Sequence, residues 1–412
     1  MTSRVVITGM GTINPIGHTV AETWENALKG TSGTGPITLF DHSRLKVHIA
    51  AEVKNFDPAQ HLDRKAVRRM SRFEQLALVA AKEAVAQAGL SADIENPYRI
   101  ATIVASAIGG LERLEENILI AQERDPSRIS PFVIPMMMPN GAASLIAMQY
   151  GFQGPSFSPV SACASGNDAI GVAWHLIRAG VVDVAVTGGS ESTITYTGIG
   201  AFDRLGALSR RNDDWSNTPQ PFDKNRDGLV MGEGAGILVL ESEEHAKARG
   251  AEILAELAAY GATADAYHVT APHPEGESGA HAIELALEAA GLTPDDVDYI
   301  NAHGTATQLN DVSETRAIKR VFGERAYRIP ISSTKSMTGH MMGSTGALEA
   351  ILCAMAIRNQ AVPPTIHYQT PDPDCDLDYV PNQAREWPVR VAVSNAFGFG
   401  GHNAILVLRA YN

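Results

Sequence analysis

The stretch Ala88-Gly89-Leu90-Ser91 ends an alanine-rich segment whose apolar residues recur with the period of an α-helix. It lies just ahead of the β-branched run from Ile100 to Ser106. The stretch Ala290-Gly291-Leu292-Thr293 ends a second such segment, ahead of the apolar run from Val297 to Ala302. A chain built from two halves of similar structure would show this kind of repetition. Alanine-rich helices that end in Gly-Leu are also common in folds without duplication, so the repetition alone leaves both interpretations open.

Around these stretches, short apolar runs alternate with segments of helical period along the whole chain. The runs are apolar on both faces, which is typical of strands in sheets that helices cover on both sides. The predicted strands are Val5–Thr8, Ala101–Ser106, Val182–Thr187, Ile237–Glu241, Val297–Ala302, Ile329–Thr334, Arg390–Ser394 and Ala404–Leu408, and the predicted helices are Phe73–Ala88, Ala169–Ala179, Ala280–Ala290 and Ala347–Asn359. The pattern predicts an α/β fold, with a seam near residues 251–261 that divides the chain into halves 1–255 and 256–412.

The composition narrows the class of protein. The chain has 412 residues, three cysteines far apart in sequence and a formal net charge of −13. A chain of this length can bury a large core without disulfides, and isolated cysteines are typical of a reducing compartment. The negative charge argues against general binding of nucleic acid, and no apolar run approaches the roughly 18 residues of a membrane span. We therefore expect a cytoplasmic protein without a nucleic-acid partner and without membrane insertion.

Cys163 lies among small residues, between a strand-like stretch and a predicted helix that ends near Gly180. This position places its sulfur at or near a helix N-terminus. Unpaired N–H groups and the positive end of the helix dipole lower the pKa of a thiol there and can bind an oxyanion. The pattern predicts a nucleophile that a carbonyl substrate can acylate. The alternative is a small buried apolar side chain, which is how we interpret Cys353 in its apolar helix.

Two histidines follow predicted strands and have glycine neighbours, His303 in NAHGT (301–305) and His340 in KSMTGHMMG (335–343). Loops after strands are where α/β folds place catalytic groups, and imidazole can donate a hydrogen bond to a thioester carbonyl near neutral pH. Lys335 precedes His340, and Glu349 follows it in an apolar helix, where a carboxyl group requires a partner. A zinc site of Cys163, His303 and His340 is the rival arrangement, although the spacing matches no common zinc motif.

The segment SNAFGFGGHN (394–403) lies between two predicted strands. Its glycines allow backbone conformations that other residues avoid, so the segment could flip, gate a pocket or present an N–H group to an oxyanion. A β-hairpin turn that carries two core phenylalanines is an equally good interpretation of the local sequence.

Together these motifs resemble the β-ketoacyl-acyl-carrier-protein synthases, and in particular the stand-alone type II elongation enzymes. The resemblance rests on Cys163 in its small-residue setting, AHGT with His303, TKSMTGH with Lys335 and His340, and FGFGGHN, and it runs from VVITGMG to NAILVL. It implies an α/β thiolase-like fold of five layers, α/β/α/β/α, built from two similar halves. It also implies that the protein is a homodimer.

The resemblance further implies an acyltransferase that performs a decarboxylating Claisen condensation in fatty-acid biosynthesis. Cys163 would hold the acyl chain as a thioester, while His303 and His340 would polarise a malonyl thioester and assist the loss of CO2. Backbone N–H groups of Cys163 and Phe399 would form the oxyanion hole, and Phe399 would also gate entry of the acyl chain.

Supporting roles follow from the same resemblance. Lys335 would act structurally and electrostatically, with Asp311 and Glu314 as its partners, and Glu349 would be buried beside the site. Substrate contacts would come from Ile108, Ile134, Phe202, Thr270, Thr305, Thr307, Met342 and Gly401, with the threonines binding the pantetheine arm.

Acyl-carrier proteins are acidic, so basic residues are candidates for docking. The positions Arg64, Lys65, Arg68, Arg69 and Arg72 would fall on one face of a helix and form a basic stripe on an acidic protein. An ordinary solvated helix face is the alternative interpretation.

The family receives its substrates on the phosphopantetheine arm of acyl-carrier protein, so we expect no further cofactor and no catalytic metal, although a structural alkali ion would be compatible. A ketosynthase of a polyketide or other specialised pathway would share every catalytic residue. A catalytically silent chain-length partner would lack the nucleophile, so Cys163 argues against it. A degradative thiolase needs a second cysteine near its C-terminus, which FGFGGHN lacks.

Overall fold

Fourteen strands and thirteen helices lie within residues 3–90 and 95–411, the part of the chain that the computed structural model describes. The strands are β1 (Val5–Ile13), β2 (Gly35–Pro36), β3 (Ile49–Ala50), β4 (Ile100–Ala105), β5 (Ser156–Phe157), β6 (Val184–Ser192), β7 (Glu233–Ser242), β8 (Ala255–Ala264), β9 (Tyr299–Asn301), β10 (Ile331–Ser332), β11 (Ala361–Val362), β12 (Arg385–Glu386), β13 (Val391–Gly398) and β14 (His402–Arg409). The helices are α1 (Val20–Leu28), α2 (Arg64–Val67), α3 (Arg72–Ala88), α4 (Leu111–Glu123), α5 (Val133–Met137), α6 (Gly141–Tyr150), α7 (Ser165–Arg178), α8 (Tyr196–Arg204), α9 (Glu243–Ala248), α10 (Glu277–Ala290), α11 (Gln308–Phe322), α12 (Lys335–Thr338) and α13 (Thr345–Asn359). Each of these helices is too short or too polar to cross a membrane.

The ten principal strands pair in the order β10-β9-β13-β14-β8-β1-β7-β6-β4-β5. In the first half, β1, β7 and β6 pair antiparallel, and β6, β4 and β5 pair parallel. In the second half, β8, β14 and β13 pair antiparallel, and β13, β9 and β10 pair parallel. The two sheets therefore share one plan, and they join where residues 5–7 of β1 pair with residues 255–257 of β8.

This topology confirms the predicted fold of two similar halves. The helices α3 and α10 occupy equivalent places, and each ends at a glycine in the left-handed conformation, Gly89 and Gly291. Ser91, the last residue of the first quoted stretch, lies outside the described residues. The predicted boundary at residues 255 and 256 falls at the start of β8, and its use as a division between domains stays a prediction.

The elements stack in five layers. The helices α7 and α13 lie between the two sheets, α3 covers the outer face of the first sheet, and α10 covers the outer face of the second. Glycines permit this close approach: a Cβ on Gly11 of β1 would lie 2.0 Å from the carbonyl oxygen of Ala80 in α3. A Cβ on Gly261 of β8 would lie 2.5 Å from the carbonyl oxygen of Ala282 in α10. The central strands are buried on both faces because helices cover both sides.

Candidate active site

Cys163 occupies a sharp turn between the short edge strand β5 and the central helix α7. The turn is a single 3₁₀ segment, Ala162–Ala164, and Ala162 has a left-handed φ of 51°. A Cβ on Gly398 of β13 would lie 2.7 Å from the carbonyl oxygen of Ser161, so only glycine lets the second half approach the turn this closely. The N–H groups of Cys163 and Phe399 both interact with the sulfur. The turn thus presents a thiol beside two backbone donors.

The electrostatic surroundings of Cys163 differ from the sequence-based expectation. Burial raises the pKa of the Cys163 thiol to about 11, while the Lys335 ammonium and the Phe399 N–H act in the opposite direction. The prediction of a lowered pKa is therefore wrong for the resting protein, because the loss of hydration outweighs the opposing effects of Lys335 and of the backbone N–H groups. Cys163 rests as a thiol and needs a proton acceptor when it attacks.

His303 and His340 supply the neighbouring groups. The sulfur of Cys163 and one ring nitrogen from each histidine all lie within 4.8 Å of one another, and the two ring centroids are 5.4 Å apart. Burial, reinforced by the Lys335 charge, holds the pKa of both imidazoles well below the ordinary value, so both are neutral near pH 7. The Thr345 hydroxyl lies 3.0 Å from Nδ1 of His340, and Nε2 of His340 has no partner among the described residues. These imidazoles can accept a proton or donate an N–H.

The rival zinc interpretation uses the same three side chains. One thiolate and two imidazoles are a donor set that zinc accepts. Bonds of about 2.0–2.3 Å to a tetrahedral zinc place ligand atoms about 3.3–3.8 Å apart, so a separation of 4.8 Å between any two of them would have to close by about 1 Å. The absence of a catalytic metal stays a prediction.

Lys335 and Glu349 form a buried ion pair next to this cluster. Nζ of Lys335 donates to Oε1 of Glu349 at 2.7 Å, and both side chains are almost fully excluded from solvent. Burial raises the pKa of Glu349 to about 7, against the opposing effect of Lys335. The predicted pairing of Lys335 with Asp311 and Glu314 is wrong, because Glu349 reaches the ammonium from the adjacent helix α13.

Asp311 and Glu314 hold the backbone around His303 instead. The two carboxylate oxygens of Glu314 accept the N–H groups of His303 and Gly304, each at 2.7 Å. Asp311 accepts the N–H of Phe222 at 2.7 Å and lies 3.7 Å from Nε of Arg226. Both acids are therefore structural, as predicted, but with other partners.

The glycine-rich segment near the C-terminus is a β-hairpin turn between β13 and β14, as the alternative interpretation proposed, but Phe397 and Phe399 are half-buried and line the cavity instead of lying in the core. Gly400 and Gly401 have φ values of 87° and 75°, which favour glycine, and the N–H of Gly400 donates to Val269 O at 2.7 Å. The ring of Phe399 stacks on Phe202 with centroids 6.1 Å apart. The segment is thus a hairpin turn and also presents the N–H of Phe399 to the sulfur of Cys163.

A narrow cavity ends at these groups, and its lining shows which of the predicted substrate contacts lie beside the catalytic cluster. The predicted residues that line it, together with the catalytic cluster, are Phe202, Thr270, Thr305, Thr307, Met342 and Phe399. The cavity is also lined by Ala207, Leu229, Asp265, Pro272, Asn310, Phe397 and Asn403, which the sequence reasoning did not assign. Of these, Phe397 and Asn403 carried a signal, since both lie in FGFGGHN.

Three predicted contacts lie outside the cavity lining. Ile134 is 59% exposed on α5, and Ile108 is in the turn after β4. Gly401 packs against Asp265, where a Cβ would lie 2.7 Å from that residue's Cβ. The single chain does not bring these residues to the cavity.

The basic residues do not share one helix face. The helix α2 ends at Val67, and α3 starts at Arg72 because Ser71 and Glu74 form a capping box there. Arg72 is turned inward: its Nε and Nη2 each lie 2.6 Å from the buried carboxylate of Glu233. The predicted stripe is wrong in this respect. The exposed members are Arg64, Lys65, Arg68 and Arg69.

Two neighbouring strands carry buried polar atoms that could suit an alkali ion. Asn301 of β9 and Ser394 of β13 are paired in register, and their side-chain polar atoms have no hydrogen-bond partner among the described residues. Oxygen ligands are what hard cations prefer. These residues are therefore compatible with the structural alkali ion that the sequence left open.

A duplicated five-layer fold in which a cysteine turn faces two buried histidines defines a condensing enzyme of the thiolase-like class. Two family models match the chain: "Beta-ketoacyl synthase, N-terminal domain" over residues 2–246 and "Beta-ketoacyl synthase, C-terminal domain" over residues 254–369. The chain belongs to the beta-ketoacyl synthase family.

Curated relatives and solved structures agree with this assignment. The chain is 50% identical over 408 residues to a 3-oxoacyl-[acyl-carrier-protein] synthase 2 of Staphylococcus aureus (strain COL), covering 99% of this chain and 98% of that one. A protein of the same name from Synechocystis sp. is also 50% identical over 408 residues, with the same coverage. Among solved structures, "the ishigamide ketosynthase/chain length factor" aligns with a TM-score of 0.94 and 38% identity over both whole chains. A structure of a type II PKS acyl-carrier protein in complex with its ketosynthase aligns with a TM-score of 0.92 and 39% identity, again over both whole chains.

Proposed function

We propose that this chain elongates acyl chains in fatty-acid biosynthesis by condensing an acyl group on Cys163 with a malonyl thioester on acyl-carrier protein. The observation that carries this proposal is the cluster of Cys163, His303 and His340 at the end of one cavity. The curated relatives at 50% identity, which are named 3-oxoacyl-[acyl-carrier-protein] synthase 2, support it.

The first half-reaction loads the enzyme. The sulfur of Cys163 attacks the carbonyl carbon of the acyl thioester, and its proton passes to a neutral imidazole and then to the carrier thiol that leaves. The N–H groups of Cys163 and Phe399 stabilise the oxyanion of the tetrahedral intermediate. Because burial raises the pKa of the Cys163 thiol to about 11, the sulfur is protonated before the reaction and an imidazole must take its proton.

The second half-reaction forms the carbon–carbon bond. His303 and His340 donate N–H hydrogen bonds to the malonyl thioester carbonyl. The bond between the malonyl methylene carbon and the carboxylate breaks, and CO2 leaves. The electron pair of that bond stays on the thioester and forms an enolate. The enolate carbon attacks the acyl carbonyl on Cys163, the bond between that carbonyl and sulfur breaks, and the thiolate takes up one proton. Acyl-Cys163, malonyl thioester and one proton thus give a 3-oxoacyl thioester, CO2 and the free thiol.

Intact-protein mass spectrometry tests this sequence. The protein is mixed first with acyl-carrier protein bearing an acyl chain and then with malonyl-carrier protein, and any adduct is mapped to a peptide. We expect an acyl adduct on Cys163 that disappears with release of CO2 and a product two carbons longer. Failure to form the adduct with several chain lengths, in a folded protein, would contradict the proposal.

We further propose that acyl-carrier protein docks on the exposed basic residues at 64–69. The neighbour solved with an acyl-carrier protein is a ketosynthase, which supports a carrier protein as partner. Arg68 and Arg69 are exposed, and Cζ of Arg69 lies 4.8 Å from the ring centroid of Phe132. Reversing both to glutamate should weaken carrier binding in a salt-sensitive way. Unchanged affinity would place docking elsewhere.

A homodimer is the assembly that the surface supports. The strand β5 lies at the edge of the sheet, and exposed apolar side chains surround it, including Phe157 at 41% and Val160 at 55% exposure. An open strand edge with an apolar surround favours pairing with a second copy. Light scattering should give a dimer, and Val160→Asp should shift it toward monomer. The cytoplasmic location stays a prediction.

A specialised ketosynthase is the second candidate, because the polyketide ketosynthase solved with its carrier aligns over the whole chain at 39% identity. Carrier preference separates the two. Faster elongation on a polyketide carrier than on a fatty-acid carrier would favour the specialised pathway.

A further inference from the structure

The loop from Gly304 to Gln308 has an unusual backbone. Gly304 and the non-glycine residue Ala306 both have left-handed φ values, 36° and 65°. This conformation is disfavoured for alanine, so neighbouring contacts must hold it. The loop places Thr305 and Thr307 on the cavity wall, with their hydroxyl oxygens 2.9 Å apart.

Arg226 holds this loop from behind. Its side chain is 1% exposed, its Nε donates to Thr307 O at 3.2 Å, and its Nη2 donates to Gln308 O at 3.1 Å. The N–H of Gly228, two residues on, donates to Ala306 O at 3.0 Å. Three consecutive carbonyl groups therefore point toward residues 226–228.

The guanidinium is itself fixed by its remaining contacts. Nη1 donates to Asp223 O at 2.9 Å and to the carboxylate of Asp372, and Nε lies 3.7 Å from Asp311. Two carboxylates balance the buried charge, and donors on all three guanidinium nitrogens are used. A lysine at this position would keep the positive charge. Its single ammonium group could not donate to all of these acceptors at once, because they lie in different directions around the planar guanidinium.

We infer that Arg226 is a positioning residue that sets the cavity wall formed by Thr305 and Thr307 for the amide-bearing arm of the carrier thioester. This inference rests on the proposed function. The histidine of the same loop is held separately, because Glu314 binds the N–H groups of His303 and Gly304. Loss of the Arg226 contacts should therefore weaken binding of the carrier arm, and it should have a smaller effect on the rate of the chemical step at His303.

The test compares Arg226→Lys with wild type in steady-state elongation on malonyl-carrier protein. We expect KM to rise about tenfold while kcat changes by less than about threefold, since uniform binding is lost. The rate at which iodoacetamide alkylates Cys163 should stay unchanged, because that reagent has no arm. Arg385→Lys is the control: Arg385 also pairs with an aspartate, Asp378, at 2.6 Å, but its guanidinium donates to that residue and not to the loop 304–308.

A second variant tests the same role in case Arg226→Lys does not fold. Asp372→Asn retains the arginine but loosens it, and should raise KM about threefold. Adding Thr307→Val to Arg226→Lys should raise KM no further, because both changes remove the same contact with the arm.

The outcomes separate this inference from the proposed function. Wild-type elongation with an unchanged KM in both variants would overturn the role of Arg226 and leave the function intact. Equal losses of kcat and of alkylation rate would mean general damage and would also overturn it. If wild-type protein does not elongate malonyl-carrier protein, both proposals fall.

Discussion

The two halves place the same sharp turn at the same point of the fold, but only one turn carries a reactive group. The connection from β5 to α7 and the connection from β10 to α13 each contain a 3₁₀ turn, Ala162–Ala164 and Met342–Ser344. The first residue of each turn is left-handed, with φ of 51° for Ala162 and 43° for Met342. The middle residue is Cys163 in the first half and Gly343 in the second.

Packing explains why the second turn carries no side chain at its centre. A Cβ on Gly343 would lie 2.5 Å from the backbone nitrogen of Ala107 and 2.9 Å from Oε2 of Glu191. Cys163 instead faces the cavity, where Gly398 leaves room beside it. The second half contributes His340 three residues before its turn centre. The two halves thus share one frame, and in the proposed mechanism the nucleophile comes from one half and the hydrogen-bond donors come from the other.

Removing the thiol gives the largest expected effect. Cys163→Ala should lower elongation by at least about 10³-fold, because no other group at this turn can form the thioester. Intact-protein mass spectrometry should show no acyl adduct, and the thermal unfolding midpoint should change little. The matched control is Cys353→Ala, whose thiol is fully buried in α13. An adduct that persists in Cys163→Ala or vanishes in Cys353→Ala would contradict the assigned nucleophile.

Removing a donor from the second half should separate the two half-reactions. His340→Ala should lower condensation by about 10²- to 10³-fold, since a positioned donor is lost where negative charge develops. The acyl adduct on Cys163 should still form, because His303 remains beside the sulfur to take the thiol proton. Quenched-flow measurement of adduct formation and of CO2 release tests this division, with His281→Ala on the exposed face of α10 as control. Equal loss of both steps would show that the halves do not divide the chemistry in this way.

The glycine at the second turn should resist even the smallest side chain. Gly343→Ala should destabilise the protein by about 2–4 kcal/mol, because the backbone nitrogen of Ala107 and the buried carboxylate of Glu191, which accepts the N–H groups of Ala107 and Gly343, block the added methyl group. Gly35→Ala is the control, since a Cβ there would meet nothing within 4 Å. Urea unfolding measures both. A stable Gly343→Ala protein would mean that packing does not keep the second turn empty.

Much of this arrangement could be predicted from local sequence. The strands β1, β4 and β7 and the helices α3 and α10 follow from buried apolar runs and from helical period, and glycine marks the ends of both helices. The strand β8 could not be predicted in this way, because alanine and glycine have little intrinsic preference for strands. Those small residues are required where α10 packs on β8.

Contacts between distant segments could not be predicted. The sequence placed Lys335 and Glu349 near His340 but could not show that they bind each other, since that depends on where α13 lies. The direction of the Cys163 pKa shift was missed for a related reason. A helix N-terminus can be predicted from sequence, whereas the burial that raises the pKa of the Cys163 thiol is a property of the assembled halves.

The outer helices offer a further comparison between the halves. The helix α3 begins with a capping box in which Ser71 donates both its N–H and its hydroxyl to Glu74, whereas α10 begins after Gly276 without a side-chain cap. Glu74 is 2% exposed, and burial raises its pKa from 4.5 to about 7 despite these hydrogen bonds. The outer helix of the first half therefore has a titratable cap that α10 lacks.

This difference predicts a pH-dependent stability with a defined sign. A carboxyl group whose pKa is raised on folding contributes stability below its unfolded pKa, and this contribution is lost as pH rises through the folded value near 7. Glu74→Gln keeps a capping acceptor but cannot ionise, so its stability relative to wild type should increase between pH 5 and pH 8 by about 1–3 kcal/mol. Urea unfolding at the two pH values measures the change. Glu25→Gln is the control, because Lys29 lowers the pKa of that exposed carboxyl and moves its titration below this window. Parallel pH profiles for wild type and Glu74→Gln would mean that the cap stays ionised in the folded protein, and that the two outer helices differ in hydrogen bonding but not in titration.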